Sequence, residues 1–282
     1  SDVYKRQDLY RRAKLFTSVG IIYLLYIFSY LAFVLISDGN FTNFNLQILL
    51  MFTLNCFATL FVQPLTYIFE KLFGLVSDAS LLELTDTNNK ILRELENKAP
   101  GTFHHSLQVA NLAETAANAV GANTLLTRVG ALYHDIGKIK NPVFFSENQS
   151  NYNPHDNLEP VESKDIIIEH VKNGVLLAKK FNLPERIIDF IESHHGTTTV
   201  LYFFHKQSLI NKNVKIETFK YPGPKPHSKE TSIVMIADGV EAASKSLKTP
   251  NLENIKQLVE KVTSRLMEEN QFIDATITLK DI

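Results

Sequence analysis

Two long stretches without a charged residue constrain this 282-residue chain more than any other feature. No Asp, Glu, Lys or Arg occurs in residues 15–37 or in residues 39–69. The first apolar run, residues 15–36, would extend about 33 Å as a helix, which is enough to cross the hydrocarbon core of a bilayer. The second run, residues 46–69, is similar in length, and only a short polar turn separates the two. The sequence therefore predicts a membrane hairpin of two transmembrane helices within residues 1–69.

Two other interpretations of the apolar runs are disfavoured. Uncharged runs of this length are rare inside soluble domains, which argues against a buried helical hairpin. A cleaved signal peptide is disfavoured because the first run is too long and a second span follows it. Five basic residues precede the first span and favour a cytoplasmic N-terminus. Two spans would then return the chain to the cytoplasm, so we expect everything from Glu70 onwards to be cytoplasmic.

The remainder of the chain is predicted to be all-α. Residues 70–99 have the pattern of a connector helix, and residues 100–282 that of one helical bundle, with Thr102 as an N-cap. The formal net charge of −1 argues against a nucleic-acid polymer as partner, and one cysteine, Cys56, excludes a disulfide framework or a cysteine-based zinc module. Helical patterns occupy residues 103–120, 124–137, 160–181, 184–195, 197–210, 228–247 and 251–269.

Histidines and aspartates recur on or at the ends of these helices. Imidazole nitrogen and carboxylate oxygen together suit Fe, Mn, Zn or Co, and rigid helices can direct them towards one centre. Adjacent residues on a helix point about 100° apart, so only one of His104 and His105 is expected to face the centre. The others are His134, Asp135, His170, His194, His195 and Asp238. Five histidines and two aspartates exceed the needs of one ion, which indicates a two-metal centre with a bridging carboxylate.

Other histidines carry less weight. His155, His205 and His227, taken singly, are expected to be surface or satisfied core residues. His194 and His195 can serve one centre only if their helix ends there, which Gly196 allows.

Several motifs resemble a known family. Residues 134–138 read His-Asp-Ile-Gly-Lys, the signature of the HD phosphohydrolase superfamily. The wider set resembles the membrane-anchored HD domains of the seven-transmembrane HD receptor family, whose characterised members are bacterial cyclic di-AMP phosphodiesterases of the PgpH type. That set comprises Pro-Gly-Thr-Phe-His-His-Ser at 100–106, Asn-Pro-His-Asp at 153–156, His-His-Gly-Thr-Thr at 194–198 and Tyr-Pro-Gly-Pro-Lys-Pro at 221–226.

The resemblance implies a role for each candidate residue. One metal ion would be bound by His105, His134 and Asp238, and the other by His170, His194 and His195. Asp135 would bridge the two as a catalytic residue, and Lys138 would meet a substrate phosphate oxygen. The family uses iron or manganese, and a hydroxide activated by the two ions would hydrolyse cyclic di-AMP to the linear dinucleotide pApA.

The resemblance also implies a setting. The protein would lie in the bacterial inner membrane as a multi-pass protein, with residues 15–69 as the last two spans of a longer membrane region and the lipid bilayer as partner. Thr278 and Asp281 have the form of a capping box, which suggests that the chain continues beyond residue 282. A homodimer through the connector is compatible with the sequence but is not demanded by it.

Three alternative functions stay open at this stage. The HD-GYP branch hydrolyses cyclic di-GMP, but it carries Gly-Tyr-Pro after its paired histidines, whereas residues 196–199 read Gly-Thr-Thr-Thr. Mononucleotide phosphohydrolases use a simpler one-metal set. A non-catalytic nucleotide-sensing receptor is the third alternative. Base specificity is expected to depend on the loops at 141–157 and 221–227, where no residue can be assigned to adenine.

Overall fold

The computed structural model describes residues 12–42, 44–247 and 249–282, and the regular elements within them are helices. This confirms the all-α prediction. The chain divides into two compact units, Ser1–Glu83 and Leu84–Ile282. Most of the basic segment that was used to predict the orientation of the hairpin falls at residues 1–11, outside the described residues.

The first unit contains two helices that are long and apolar enough to cross a membrane, Leu15–Asp38 and Leu46–Phe73. Its elements are α1 (Arg12–Asp38), α2 (Leu46–Leu60) and α3 (Val62–Phe73). Helices α1 and α2 pair through Tyr23, whose hydroxyl lies 2.9 Å from Oγ1 of Thr53, and through the rings of Tyr26 and Phe52. Most of their large apolar side chains are exposed, as expected of helices that face lipid rather than a protein core.

The second span differs from the prediction in two respects. It is interrupted at Phe61, between α2 and α3, and it continues to Phe73 rather than ending at residue 69. Pro64 explains the interruption, because it has no backbone N–H and its ring clashes with the carbonyl of the residue four positions earlier, Leu60. Gly74 then ends α3 in the left-handed conformation, with φ 61°.

Residues 70–99 do not form the single connector helix that was predicted. They contain the end of α3, then α4 (Asp78–Leu84) and α5 (Lys90–Lys98). The polar run between α4 and α5 makes local hydrogen bonds that replace helical ones: Oδ1 of Asp86 accepts from the backbone N–H of Asn88, and the side chain of Asn89 caps α5.

The second unit is a bundle of α-helices with short 3₁₀ segments between them. Helix α6 begins at Pro100, so Thr102 lies inside its first turn rather than capping it, and its hydroxyl donates to Oε1 of Glu147 at 3.0 Å. The α-helices are α6 (Pro100–Ala119), α7 (Thr124–Tyr133), α8 (Pro160–Lys180), α9 (Glu185–Ser193), α10 (Leu201–Ile210), α11 (Lys229–Ser244) and α12 (Leu252–Glu268). Residues 197–200, predicted as the start of α10, instead contain Thr199, which makes an isolated antiparallel bridge with Lys220.

Helix α7 ends at Tyr133, four residues before the predicted end, and a 3₁₀ helix, Ile136–Lys140, follows it. This segment packs against α8 so closely that a Cβ at Gly137 would lie 1.8 Å from the carbonyl oxygen of His170. A second glycine, Gly174 of α8, lies at the same contact. The approach of the two backbones brings the residues before Gly137 next to the side chain of His170.

We therefore expect Gly137→Ala to reduce the free energy of unfolding by about 3 kcal/mol, the upper end of overpacking costs, because the added methyl group meets backbone atoms that cannot move aside. Thermal unfolding of the purified chain in detergent measures this. Gly239→Ala is the matched control, since the nearest atom to its Cβ is a side-chain carbon of Val262 at 3.1 Å. Equal melting temperatures for Gly137→Ala and the unsubstituted chain would contradict the packing argument.

Candidate metal centre

Seven candidate ligands from five parts of the bundle converge at one point. Helix ends contribute most of them, because a residue at the end of a helix can turn its side chain along the helix axis. Helix α9 ends at Ser193, so His194 and His195 both reach the centre, and Gly196 follows with φ 52°. The remaining ligands are His105 on α6, His134 and Asp135 directly after α7, His170 on α8 and Asp238 on α11.

The ligand atoms form two clusters. In the first, which consists of His105, His134 and Asp238, Oδ1 of Asp238 lies 3.0 Å from Nε2 of His105 and 3.8 Å from Nε2 of His134. The second consists of Asp135, His170, His194 and His195, and Nε2 of His170 lies 3.2 Å from Nε2 of His194. Within each cluster the possible ligand atoms lie within 4.8 Å of one another. Such groups of neutral nitrogen and anionic oxygen donors suit divalent transition metals.

Asp135 lies between the two clusters and presents one oxygen to each. Its Oδ2 is 3.2 Å from Nε2 of His134 and 3.6 Å from Nε2 of His105. Its Oδ1 is 3.3 Å from Nε2 of His170 and 3.6 Å from Nε2 of His194. A carboxylate that bridges two ions needs this placement of its two oxygens.

Two buried atoms at this point have no hydrogen-bond partner among the described residues, Nε2 of His134 and Oδ1 of Asp135. A buried polar atom without a partner costs about 1–3 kcal/mol. A bound cation would satisfy both atoms, so the site residues fit the metal ions that the sequence predicts.

Hydrogen bonds to backbone carbonyls fix the orientation of three of the histidines. Nδ1–H of His134 donates to the carbonyl of Ala131 at 2.7 Å. His170 and His194 donate in the same way to the carbonyls three residues earlier, at 2.5 and 2.9 Å. Each of these bonds leaves the Nε2 lone pair directed towards the clusters.

The charges of the site suit cation binding. Burial raises the pKa of Asp135, but Lys138 and His134 outweigh it and hold the pKa well below its ordinary value. Burial lowers the pKa of His194 and of His195, so both imidazoles are neutral at neutral pH. Burial also lowers the pKa of His105, but hydrogen bonds to Asp238 and Glu241 raise it to about 10. A cation that binds Nε2 of His105 must therefore displace a proton.

Lys138 lies at the wall of the site, almost completely buried. Its Nζ is 2.7 Å from Oδ2 of Asp135 and 2.8 Å from Oε1 of Glu147, and it lies 4.9 Å from the ring centroid of Phe145. Glu147, which holds Lys138, is a residue that the sequence reasoning missed. No spacing rule reveals it, because it lies on a separate 3₁₀ segment, Ser146–Asn148.

A cavity of about 490 Å³ opens beside the clusters. Its wall contains two lysines, Lys138 and Lys245, and its aromatic lining comprises Phe144, Phe145, Tyr202, Phe203 and Tyr221. Tyr221, from the predicted loop 221–227, stacks on His195 with ring centroids 4.3 Å apart.

The histidines that are not predicted metal ligands differ in burial. His104 is exposed, so His105 is the one of that pair that enters the site. His205 and His227 are also exposed, as expected. His155 is buried, its Nε2 lies 2.9 Å from the carbonyl oxygen of Phe144, and it lines the cavity.

Comparison with known proteins agrees with this geometry. The family profile described as HD domain matches residues 102–243, just over half of the chain. The chain belongs to the HD domain family. A second profile, described as a 7TM receptor with intracellular HD hydrolase, matches residues 3–77. The HD domain is a metal-dependent hydrolase domain.

Named relatives of this HD protein include two bacterial enzymes. Cyclic-di-AMP phosphodiesterase PgpH of Bacillus subtilis is 46% identical over 215 residues, 76% of this chain and 30% of that protein. The protein of the same name from Listeria monocytogenes is 44% identical over 216 residues, with the same coverage of 76% and 30%. The chain thus spans about 30% of the length of these curated relatives. A crystal structure of the L. monocytogenes PgpH HD domain in complex with cyclic-di-AMP superimposes with a TM-score of 0.68 at 44% identity, covering 70% of this chain and 92% of that one.

Asp135→Ala removes the oxygens that face both clusters, so we expect Mn²⁺ binding to fall from two equivalents to none. Metal content after equilibration and desalting, measured by mass spectrometry, tests this. The control is Asp165→Ala, which removes an exposed carboxylate that pairs with Lys164. Retention of one full equivalent together with activity would contradict the bridging role.

Proposed function

We propose that this chain is the catalytic part of a membrane-anchored, metal-dependent phosphodiesterase that hydrolyses cyclic di-AMP to pApA. The observation that carries the proposal is the pair of ligand clusters joined by Asp135 at the wall of a cavity. The similarity of the HD domain to that of PgpH supports the choice of substrate.

The donor set supports the assignment of the ligands. His105, His134 and Asp238 would hold one ion, and His170, His194 and His195 the other, with Asp135 shared. Histidine and carboxylate donors without thiolates agree with iron or manganese as the ions. When bound, two such ions lower the pKa of a water to near neutrality and offset the charge that develops on phosphoryl oxygens.

Lys138 contributes a fixed positive charge beside the reacting phosphate. Two carboxylates, those of Asp135 and Glu147, hold its ammonium group and raise its pKa, so it stays charged in a buried position where burial alone would lower the pKa. We assign it to a phosphoryl oxygen of the substrate, where a preorganised charge in a site of low dielectric stabilises the transition state.

The cavity suits a dinucleotide in size and lining. Its volume of about 490 Å³ lies within the usual range for small-molecule sites. The lining includes the aromatic rings of Phe144, Tyr202 and Phe203, and stacking of bases on aromatic rings is tolerant of base identity. Discrimination between adenine and guanine would then depend on the polar side chains of the same lining, Gln149 and Asn153.

The apolar hairpin places the enzyme at a membrane. We infer that residues 1–69 anchor a multi-pass protein in the bacterial inner membrane, that residues 70–99 connect it to the domain, and that the HD domain at 100–282 is cytoplasmic. The matched 7TM profile and the two apolar helices support this arrangement. A cytoplasmic position also agrees with a nucleotide substrate.

Incubation of the purified chain with cyclic di-AMP or cyclic di-GMP, with Mn²⁺ and with chelator, tests the proposal. We expect pApA from cyclic di-AMP, no product in chelator, and slower turnover of cyclic di-GMP. Faster turnover of cyclic di-GMP would contradict the substrate assignment. A folded, Mn²⁺-loaded chain that is no faster than background on either substrate would favour a nucleotide-sensing receptor.

Lys138→Met is expected to lower kcat by about 100-fold, because the variant loses a preorganised charge at the developing phosphoryl charge. Steady-state kinetics and metal content measured on the same samples test this. Lys140→Met is the matched control, since Lys140 lies two residues away, half-exposed, beside Glu169. Loss of metal in Lys138→Met would assign the lysine to the support of Asp135 instead of to the substrate.

A further inference from the structure

The hydrogen bond at Nδ1 distinguishes one histidine of the centre from three others. His134, His170 and His194 each donate Nδ1–H to a neutral backbone carbonyl. Nδ1 of His105 instead lies 2.5 Å from a carboxylate oxygen, Oε2 of Glu241. Neither the proposed roles above nor the motifs assign a function to Glu241.

Glu241 lies three residues after Asp238 on α11, so both carboxylates lie on one face of the helix. Asp238 contacts Nε2 of His105 at 3.0 Å, while Glu241 contacts Nδ1 of the same ring. The side chain of Glu241 is 10% exposed and that of His105 is 5% exposed. The imidazole is thus held at both nitrogens by one helix, in a region shielded from water.

A carboxylate at Nδ1 has two effects on a metal-binding imidazole. It fixes the tautomer with the proton on Nδ1, which leaves the lone pair on Nε2, and it raises the basicity of that lone pair more than a neutral carbonyl does. Both effects strengthen a bond from Nε2 to a cation. Because His105 belongs to the cluster with His134 and Asp238, the strengthened bond is to the ion of that cluster.

We propose that Glu241 is a positioning residue that secures the ion held by His105, His134 and Asp238, and that it has little effect on the ion held by His170, His194 and His195. This inference rests on the proposed two-metal function. It makes the two ions unequal, because a carboxylate lies behind His105 of the first cluster, whereas His170 and His194 of the second cluster donate to backbone carbonyls.

Lys245 offers a different explanation that the experiment must separate. Its Nζ lies 2.9 Å from the same oxygen, Oε2 of Glu241, and its side chain is half-exposed. If Glu241 affected metal binding only through its ion pair with Lys245, the Lys245 and Glu241 substitutions would weaken metal binding equally. On our proposal the bond to His105 carries the effect, so Lys245→Met keeps two equivalents of Mn²⁺.

Titration of the metal-free full chain with Mn²⁺ tests the proposal, with bound metal counted by mass spectrometry and spin coupling between ions followed by electron paramagnetic resonance. Glu241→Gln keeps an acceptor without the charge, and we expect one of the two ions to bind about tenfold more weakly. Glu241→Leu removes the acceptor, and we expect about 100-fold weaker binding of that ion. The other ion is unchanged in both, so the spectrum is that of a single uncoupled Mn²⁺ at concentrations that fill only the unaffected site.

A double substitution identifies which ion is affected. His195→Ala removes a ligand of the second cluster only. At a Mn²⁺ concentration that just saturates the unsubstituted chain, His195→Ala and Glu241→Leu should therefore each leave one ion, and their combination none. Retention of one ion by the combination would mean that both act on the same ion and would overturn the proposal. Glu241→Gln, which is nearly isosteric, preserves the test if the leucine variant does not fold.

The failures of the two proposals are distinguishable. Two ions of unchanged affinity in both Glu241 variants would overturn the role of Glu241 and leave the two-metal function intact. Fewer than two ions in the unsubstituted chain would overturn the two-metal function, and the role of Glu241 with it.

Discussion

The placement of one buried carboxylate determines the rest of this domain. Asp135 has an oxygen directed towards each histidine cluster, and its charge is held in a buried position by Lys138. A buried charge is strongly unfavourable unless it is paired, so the surrounding elements must supply positive or polar partners from every side. Helices α6, α7, α8 and α9 each do so with a histidine on the helix or directly after its end, namely His105, His134, His170 and His194.

Close packing of the backbone fixes the positions of the elements that carry the ligands. Gly137 and Gly174 allow the turn after Asp135 to lie directly on α8, and Gly130 of α7 lies against the ring of Phe190. Side chains at these positions would separate the elements that carry the ligands. The glycine of the His-Asp-Ile-Gly-Lys motif therefore has a structural role, and the histidine, aspartate and lysine have electrostatic ones.

The sequence predicted the features that depend on local pattern. Charge-free runs predicted the two long apolar helices, helical periodicity predicted the bundle, and the chain's resemblance to a family predicted which histidine of residues 104 and 105 faces inward. The sequence did not predict contacts between side chains that belong to different elements. Glu241 is 136 positions from His105, and Glu147 lies on a 3₁₀ segment separate from that of its partner Lys138, so no helical spacing relates either pair. The prediction of a single connector helix was wrong, because the side chain of Asp86 accepts a local backbone hydrogen bond after α4 has ended and that of Asn89 caps the start of a separate helix, α5.

On the proposed function, phosphodiester hydrolysis requires both clusters. The most direct measurement titrates Mn²⁺ into the metal-free chain and follows bound metal and pApA formation in the same samples. If both ions are required, activity is low at one equivalent and rises steeply as the second ion binds. Full activity at one bound ion, with no change when the second binds, would contradict it.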